Sequence, residues 1–390
     1  MKFSKFYQKT LTERRALIQN QRKLSPNELE ILSHHSYIPE SSLDLMVENV
    51  VGYYPLPYSI VPNFLVNQKE YLVPMVIEES SVVAAASKAA KIARIHGGFT
   101  SEPVESLMIG QIQIYDINSE QERKQILEFI THNKQRLIEY LDFQDPTLVS
   151  HQGGVKDIQV REISTDEGYY MILHVIVDVR DAMGANIVNT MVERLAAQIE
   201  PDIPGKINLR IISNLAIHRV AKVRAIFDKE AVGGSKIVAK IIKAYQFARD
   251  DPFRATTHNK GIMNGIDAVA IATGNDFRAL EAGAHAFASL SGQYHPLTRY
   301  YLHPEGHLIG EIKIPLAMGV VGGLISKHPG AKLSLKIMDV YTAEELCQVT
   351  AAVGLAQNFA ALRALADEGI QQGHMKLHSR IKDHTYQSTD

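Results

Sequence analysis

Cysteine is almost absent from this chain of 390 residues, which limits the chemistry that the protein can use. The single cysteine, Cys347, excludes an internal disulfide and any metal site built from several cysteines. We therefore expect a protein of the reducing cytoplasm in which Cys347 is a buried core thiol.

An excess of charge of one sign is also missing. The formal net charge is -2, charged residues make up 22% of the chain and hydrophobic residues 45%. This composition is typical of a soluble globular protein without a broad positive field, so we expect no nucleic-acid partner. A polyanionic ligand must then be bound by a few local basic residues.

Long apolar runs do not occur either. The N-terminal stretch MKFSKFYQKTLTERR has no apolar core and no cleavage pattern of small residues, and nowhere do about 18 apolar residues follow one another without a charge. The sequence therefore predicts no signal peptide and no membrane span.

Glycine-rich nucleotide motifs are the last notable absence. Neither GxGxxG nor GxxxxGK followed by Ser or Thr is found, so a standard Rossmann fold or P-loop is not supported. The stretch DVRDAMGANIVNTMVE instead predicts a strand ending at Asp181 and a helix whose first turn holds Gly184, Ala185 and Asn186. Small residues there would let a phosphate approach free backbone N–H groups. A glycine that opens a helix more often serves packing, so both interpretations stay open.

Hydrophobic periodicity shows how the chain is organised. Residues 107–214 alternate strand-like and helical segments, which predicts a compact α+β insert. On both sides the pattern is helical, with helices expected from about 80 to 97, 235 to 249, 261 to 273, 275 to 290 and 342 to 368, and one strand near 308–316. The predicted fold class is α+β, with a large, mainly helical domain (1–106 plus 215–374), an inserted small domain (107–214) and a short tail (375–390).

Four ionisable residues stand in contexts that favour a functional site: Glu79, Lys260, Asp276 and His374. Three of them lie among apolar or small residues, where an ionisable side chain tends to be paired and perturbed. His374 and His378 share a helical face at a spacing that metal ligands also use, but the HExxH glutamate and a third ligand are missing. We therefore predict no metal.

Several longer blocks resemble the signature motifs of 3-hydroxy-3-methylglutaryl-coenzyme A (HMG-CoA) reductase, close to its soluble class II. The blocks are ENVVGYYPLP (48–57), VPMVIEESSVVAAAS (73–87), DAMGANIVNTM (181–191), RATTHNKGIMNGIDAVAIATGNDFRALEAGAHAFA (254–288), AVGLAQNFAALRAL (352–365) and GIQQGHMKLH (369–378). They follow the family's order from about residue 40 to residue 378. The resemblance implies a cytoplasmic enzyme that interconverts HMG-CoA and mevalonate plus CoA, with two nicotinamide cofactors used in succession.

The resemblance also implies the catalytic roles. Each hydride addition leaves negative charge on the former carbonyl oxygen, and the ammonium of Lys260 would stabilise that charge. Asp276 would accept a hydrogen bond from Lys260 and orient it, and Glu79 would protonate the alkoxide when the aldehyde is reduced. His374 would protonate the departing CoA thiolate.

Binding residues follow from the same blocks. The guanidinium of Arg254 would hold the free carboxylate of the HMG group. The acyl and pantetheine path would be lined by Ser81, Asn214, Asn264, Gln357, Ala361 and His378. The cofactor block comprises Asp181, Met183, Gly184, Ala185 and Asn186, in an inserted non-Rossmann dinucleotide-binding domain. Asp145 would contact the adenosine ribose hydroxyls and favour NADH over NADPH by repelling a 2′-phosphate.

Two departures from the family qualify these expectations. The N-terminal pair is Phe6-Tyr7 where many class II members have Phe-Arg, so CoA phosphate is expected to use other basic residues. The chain ends 16 residues after His374, where class II enzymes usually continue as a long mobile flap, so slow turnover is expected unless a longer tail exists. The resemblance further implies a homodimer, or a higher oligomer of dimers, with sites at the subunit boundary. The alternatives are a catalytically silent acyl-CoA-binding protein of the same fold and an enzyme that oxidises mevalonate.

Overall fold

The computed structural model describes residues 3, 5–33, 38, 40–166 and 168–367. It is a mixed α/β protein in which the strands of these residues form two sheets. The strands are β1 (Tyr58–Val66), β2 (Lys69–Val76), β3 (Phe99–Ser101), β4 (Leu107–Ile117), β5 (Gly154–Thr165), β6 (Gly168–Asp178), β7 (Lys206–Ser213), β8 (Val220–Phe227), β9 (Thr298–Leu302) and β10 (Leu308–Pro315). The helices are α1 (Leu11–Arg22), α2 (Pro26–Ile31), α3 (Glu40–Leu43), α4 (Val82–Ala93), α5 (Glu120–Gln144), α6 (Pro146–Ser150), α7 (Ala185–Ile199), α8 (Lys229–Val232), α9 (Ser235–Asp250), α10 (Pro252–Ala272), α11 (Phe277–Ala288), α12 (Pro329–Met338) and α13 (Ala343–Ala366).

The larger sheet has six strands in the order β2-β1-β3-β8-β10-β9, and of its pairs only β1 with β3 is parallel. Helices α4, α10 and α13 pack beside it around one extended apolar core. Helices α10 and α13 approach closely because small residues face each other: a Cβ on Gly265 would lie 2.9 Å from a methyl group of Val353. This close packing holds α10, the helix that contains Lys260, rigidly in the interior.

The smaller sheet has four strands in the order β5-β6-β4-β7, and every pair is antiparallel. Strand β6 is a nearly continuous apolar run that is buried from Met171 to Val177, and helices α5 and α7 cover the sheet and share a second apolar core with it. This core is separate from that of the six-stranded sheet.

Helix α13 is long and apolar enough to cross a membrane by length and composition alone, with a mean hydropathy of 1.3 in its most apolar part. In the fold, 72% of that part is buried inside the protein. Cys347 lies on this helix with no exposed surface, so the expected buried thiol is confirmed. Helix α13 therefore has the environment of a core helix.

Most of the predicted helices are confirmed to within a few residues, but the prediction of a single strand outside 107–214 was wrong. The hairpin of β1 and β2 was missed, and so were β3, β8 and β9. The hairpin turns at Asn67 and Gln68, whose φ angles of 47° and 65° match the twist of a two-residue turn, but neither residue is the glycine that usually marks one. Helix α10 also begins at Pro252, earlier than the expected 261, because Asp251 caps it and a proline is well tolerated in the first turn.

Candidate active site

Lys260 and Glu79 are brought together by the fold although 181 positions separate them in the chain. The Lys260 Nζ donates to Glu79 Oε2 at 3.2 Å. Lys260 projects from α10, and Glu79 lies in the short connection between β2 and α4. The two side chains are 63% and 39% exposed, so this ion pair adds little to stability. Its placement leaves the ammonium open to a bound molecule.

Asp276 does not form the predicted hydrogen bond with Lys260 in the single chain. Its Oδ1 accepts from the backbone N–H groups of Arg278 and Ala279, at 3.0 and 3.2 Å, and lies 3.0 Å from the Arg278 guanidinium. The carboxylate is thus the N-cap of α11 and satisfies amides that the helix leaves unpaired. The sequence block TGND identified Asp276 as a candidate site residue but did not predict that its side chain caps α11.

A pair of carboxyl groups near Lys260 was missed by the sequence reasoning. Burial raises the pKa of Asp267 to about 8, and the neighbouring Glu281 adds to the effect. The pKa of Glu281 is lowered, chiefly by its hydrogen bond with His285, and the charge of Lys260 contributes. The available signal was Asp267 itself, an acid inside the apolar run GIDAVAIA. Its partner comes from α11 and cannot be identified from spacing.

Three of the expected substrate residues carry polar groups that have no hydrogen-bond or ion-pair partner in the described part of the chain. The guanidinium of Arg254 is half-buried without a carboxylate partner there, and burial lowers its pKa. Ser81 Oγ and Gln357 Oε1 are buried and have no hydrogen-bond partner among the described residues. Such groups usually have a partner, so their lack of one fits a site that a polar ligand completes.

The other expected substrate residues have different surroundings. Asn264 lies one helical turn beyond Lys260 on α10, and therefore on the same face of the helix. Asn214 is exposed in the segment after β7, where its backbone carbonyl packs against Gly283 of α11. Ala361 is half-buried near the end of α13. His374 and His378 lie outside the described residues.

The cofactor block forms a loop between β6 and α7. Strand β6 ends at Asp178, earlier than the predicted Asp181, and the Asp181 carboxylate accepts from the N–H of Ala343 at 2.8 Å. Gly184 takes a φ of 104°, and a Cβ there would lie 2.7 Å from a methyl group of Val179. No side chain of the described residues caps α7, so the first N–H groups of this helix, at Ala185 and Asn186, are available to an anion.

Arg219 holds this loop in place and was not found from the sequence. Its side chain is fully buried and donates to the carbonyl of Ala182 at 3.0 Å, to that of Met183 at 3.4 Å and to that of Met318. Burial lowers the pKa of this guanidinium. A single basic residue in an ordinary strand-like context gave no signal of such a role.

Asp145 lies at the junction of α5 and α6, where its Oδ1 accepts from the N–H of Leu148 at 3.0 Å. The carboxylate therefore caps α6. Its second oxygen has no hydrogen-bond partner among the described residues. The geometry of the single chain leaves open the predicted contact with a ribose.

Comparison with known proteins identifies the molecule. The sequence profile described as hydroxymethylglutaryl-coenzyme A reductase matches residues 10–379. A 3-hydroxy-3-methylglutaryl-coenzyme A reductase of Archaeoglobus fulgidus is 53% identical over 376 residues, which cover 96% of this chain and 85% of the relative. A probable reductase of the same name from Borreliella burgdorferi is 39% identical over 386 residues, covering 97% of this chain and 86% of the relative.

Solved structures agree with this. The 3-hydroxy-3-methylglutaryl-coenzyme A reductase of Streptococcus pneumoniae superposes with a TM-score of 0.90 at 42% identity, over 97% of this chain and 90% of that chain. A second structure, the class II enzyme from the same organism bound to NADPH in open conformations, gives a TM-score of 0.89 at 41% identity, over 94% of this chain and all of that chain (100%). The fold and the lysine–carboxylate site thus define an oxidoreductase that acts on an acyl-CoA thioester.

The chain belongs to the hydroxymethylglutaryl-coenzyme A reductase family, and its resemblance to class II is confirmed. Its activity interconverts HMG-CoA and mevalonate plus CoA through two successive hydride transfers with a nicotinamide nucleotide. The alternative of a catalytically silent binding protein is not favoured.

Proposed function

We propose that Lys260 is the group that stabilises the oxyanion in both reductive steps. The observation that supports this role is the contact of its ammonium with Glu79 at 3.2 Å, which places the cation beside the carboxyl group that would act as the acid once it is protonated. In each step a C–H bond forms at the carbonyl carbon and the electrons of the C=O π bond move to the oxygen. A fixed ammonium beside that oxygen stabilises the transition state more than the substrate.

The remaining proton transfers are divided between two residues. The first hydride addition converts the thioester to a hemithioacetal. When this intermediate breaks down, the C=O bond of the aldehyde forms, the C–S bond breaks and the sulfur leaves as a thiolate, which His374 protonates. When the aldehyde is reduced, Glu79 gives its proton to the alkoxide through a position next to Lys260. Each reduction would take its hydride from a separate reduced nicotinamide nucleotide, so the oxidised nucleotide formed in the first step would be exchanged for a second reduced one before the aldehyde is reduced.

Asp276 acts through Lys260 in the assembled enzyme. We infer a homodimer in which a second copy completes the site, because the Asp276 carboxylate faces its own helix end in the single chain while Lys260 remains largely exposed. Closure of the site by the second copy would remove water and strengthen the interaction between the carboxylate and the ammonium.

Substrate binding depends on the unsatisfied polar groups. The half-buried guanidinium of Arg254 pairs with the carboxylate of the HMG group, and a planar guanidinium can bind both of its oxygens at once. Ser81, Asn264 and Gln357 supply hydrogen bonds to the acyl portion, and Asn214, Ala361 and His378 lie along the path of the pantetheine arm.

The nucleotide binds at the loop of Asp181, Met183, Gly184, Ala185 and Asn186. The uncapped N-terminus of α7 supports this, since its free N–H groups and helix dipole favour a phosphate. Asp145 contacts the adenosine ribose and favours NADH. Residues 107–214 form the nucleotide-binding domain and residues 1–106 with 215–374 the substrate-binding and dimerisation domain of a cytoplasmic enzyme.

The test is an absorbance assay of the purified full chain with HMG-CoA and each reduced nucleotide, followed by the reverse reaction with mevalonate. Lys260→Ala should lower turnover by roughly 10²- to 10⁴-fold and leave HMG-CoA binding nearly unchanged, because the oxyanion forms only during reaction. Lys240→Ala, which removes an exposed lysine of α9, is the matched control and should keep full turnover. Near-normal turnover of Lys260→Ala would remove Lys260 from its proposed role.

A further inference from the structure

Three metal-ligating side chains meet far from the proposed catalytic residues: His96, Asp228 and His307. Asp228 directly follows β8 and His307 directly precedes β10, and these strands pair with Phe227 opposite Leu308. His96 comes from the turn after α4. The three residues are more than 75 positions apart in sequence, so motif spacing could not reveal them.

The geometry of this cluster is close to that of a metal site. His96 Nε2 lies 3.2 Å from Asp228 Oδ2, and His307 Nδ1 lies 3.4 Å from the same oxygen. All three ligand atoms are within 4.8 Å of one another. Tetrahedral zinc with bonds of about 2.0–2.2 Å separates its ligand atoms by about 3.3–3.6 Å. The two nitrogen–oxygen separations therefore need only small adjustments to hold a zinc ion.

The surroundings hold the ligands in place. Asp228 Oδ1 accepts from the N–H groups of Glu230 and Ala231, at 3.0 Å each, which turns Oδ2 toward the imidazoles. The side chains of His96, Asp228 and His307 are only 27%, 19% and 12% exposed.

One existing contact competes with an ion. His307 Nδ1 accepts a hydrogen bond from the N–H of Lys229 at 3.2 Å. The nitrogen has one lone pair, so this hydrogen bond must break when Nδ1 binds the metal. The Glu305 carboxylate of the same turn lies 3.8 Å from His307 Nε2, the ring nitrogen opposite the proposed ligand nitrogen, where it can orient the imidazole. Water can complete the coordination, as zinc sites with three protein ligands commonly retain a fourth position for water.

We propose that His96, Asp228 and His307 form a binding site for a divalent transition metal, with Zn²⁺ as the best fit. Two imidazoles and one carboxylate match the ligand preference of zinc, whereas Mg²⁺ and Ca²⁺ favour oxygen ligands. The ion would have a structural role, because the site is distant from the proposed catalytic residues. His96 follows the C-terminus of α4, whereas Glu79 precedes its N-terminus. The 12 residues of α4 separate them by about 18 Å of helix. A bound ion would fasten the end of α4 to β8 and β10.

The experiment measures Zn²⁺ binding to the chelator-treated full chain by calorimetry, together with the melting temperature with and without Zn²⁺. The wild type should bind one equivalent that the double variant His96→Gln/His307→Gln lacks, and Zn²⁺ should raise the melting temperature of the wild type but not that of the double variant. His132→Gln, an exposed histidine of α5, is the matched control and should keep that equivalent.

Asp228→Asn provides a second variant that preserves the cap of α8, since asparagine caps helices as well as aspartate. It should weaken Zn²⁺ binding at least 10-fold without lowering the metal-free melting temperature by more than a few degrees. Equal stoichiometry and affinity in the wild type and in both ligand variants would overturn the proposal. That result would leave the three residues as an ion-pair cluster and any bound zinc at other histidines.

Discussion

Asn275 and Gly319 are joined by two reciprocal hydrogen bonds: the Asn275 side chain donates to the Gly319 carbonyl at 3.1 Å and accepts from its N–H at 2.8 Å. A Cβ on Gly319 would lie 2.5 Å from the backbone nitrogen of Met183. Asn275, which precedes Asp276, is therefore linked through Gly319 to the loop proposed to bind the nucleotide. The two parts of the site keep a fixed spacing within one chain.

Asn275→Ala should therefore disturb both parts. Loss of the buried amide leaves the Gly319 groups without partners, which should lower the free energy of unfolding by about 1–3 kcal/mol. The KM for the reduced nucleotide should rise several-fold. Urea unfolding and steady-state kinetics provide the measurements. Asn133→Ala, which removes an amide of α5, should leave the nucleotide KM unchanged; an equal rise in both variants would contradict the linkage.

Asp267→Asn should change how stability depends on pH. In the folded protein the pKa of Asp267 is about 8, against an ordinary value of 3.8, so between these values the folded state holds a proton that the unfolded state has released. The contribution of Asp267 to the free energy of unfolding therefore falls as pH rises from about 4 to about 8, and it is constant above that range. Asparagine resembles the protonated carboxyl and does not titrate.

The variant should accordingly gain stability over the wild type as pH rises through this window. The gain is at most about 1.4 kcal/mol per pH unit and is smaller in practice because Asp267 retains some contact with water. Thermal unfolding at several pH values measures it. Asp202→Asn, at an exposed position, should follow the wild type. A difference between Asp267→Asn and the wild type that is independent of pH would show that Asp267 is ionised in the fold.

Asp145→Ala should narrow the preference for NADH over NADPH. Removing a carboxylate removes the repulsion of a 2′-phosphate, by about 1–2 kcal/mol if the group is desolvated in the complex. The ratio of kcat/KM values for the two nucleotides is the measurement. Because Asp145 also caps α6, Asp145→Asn is a necessary companion: it keeps the cap and removes the charge. An unchanged ratio in both variants would mean that this loop does not contact the ribose.

His374→Gln should separate the two half-reactions. It should slow the reduction of HMG-CoA, which releases a thiolate, and spare the reduction of added mevaldehyde, which has no thiolate to protonate. Turnover with each substrate, measured in the same preparation, tests this. Equal losses with both substrates would assign His374 a role other than protonation of CoA.

The sequence predicted those parts of the fold that depend on local patterns. Helix α9 has apolar residues at helical spacing, and α13 is a long apolar segment that begins after the capping residue Thr342; the limits of both agree with the expectation to within two residues. The β1–β2 hairpin was missed because its turn, Asn67-Gln68, lacks glycine and its strands alternate imperfectly. Residues of the site were identified from family blocks, while their contacts depend on distant segments. The contact of Lys260 with Glu79 and the meeting of Asp267 with Glu281 are of this kind.

Arg219 determines which part of the molecule the nucleotide loop moves with. The loop follows β6 of the four-stranded sheet, yet its carbonyls at Ala182 and Met183 accept hydrogen bonds from Arg219, which directly precedes β8 of the six-stranded sheet. Val320 N–H donates to the carbonyl of Asp181 at 2.9 Å. If the small sheet swings relative to the large one, the segment of Ala182 and Met183 stays with the large sheet, whereas α7 moves with the small sheet whose core it shares. The pivots then lie on the two sides of this segment, before Asp181 and at Gly184, so nucleotide phosphates bound at the N-terminus of α7 would move with the small sheet.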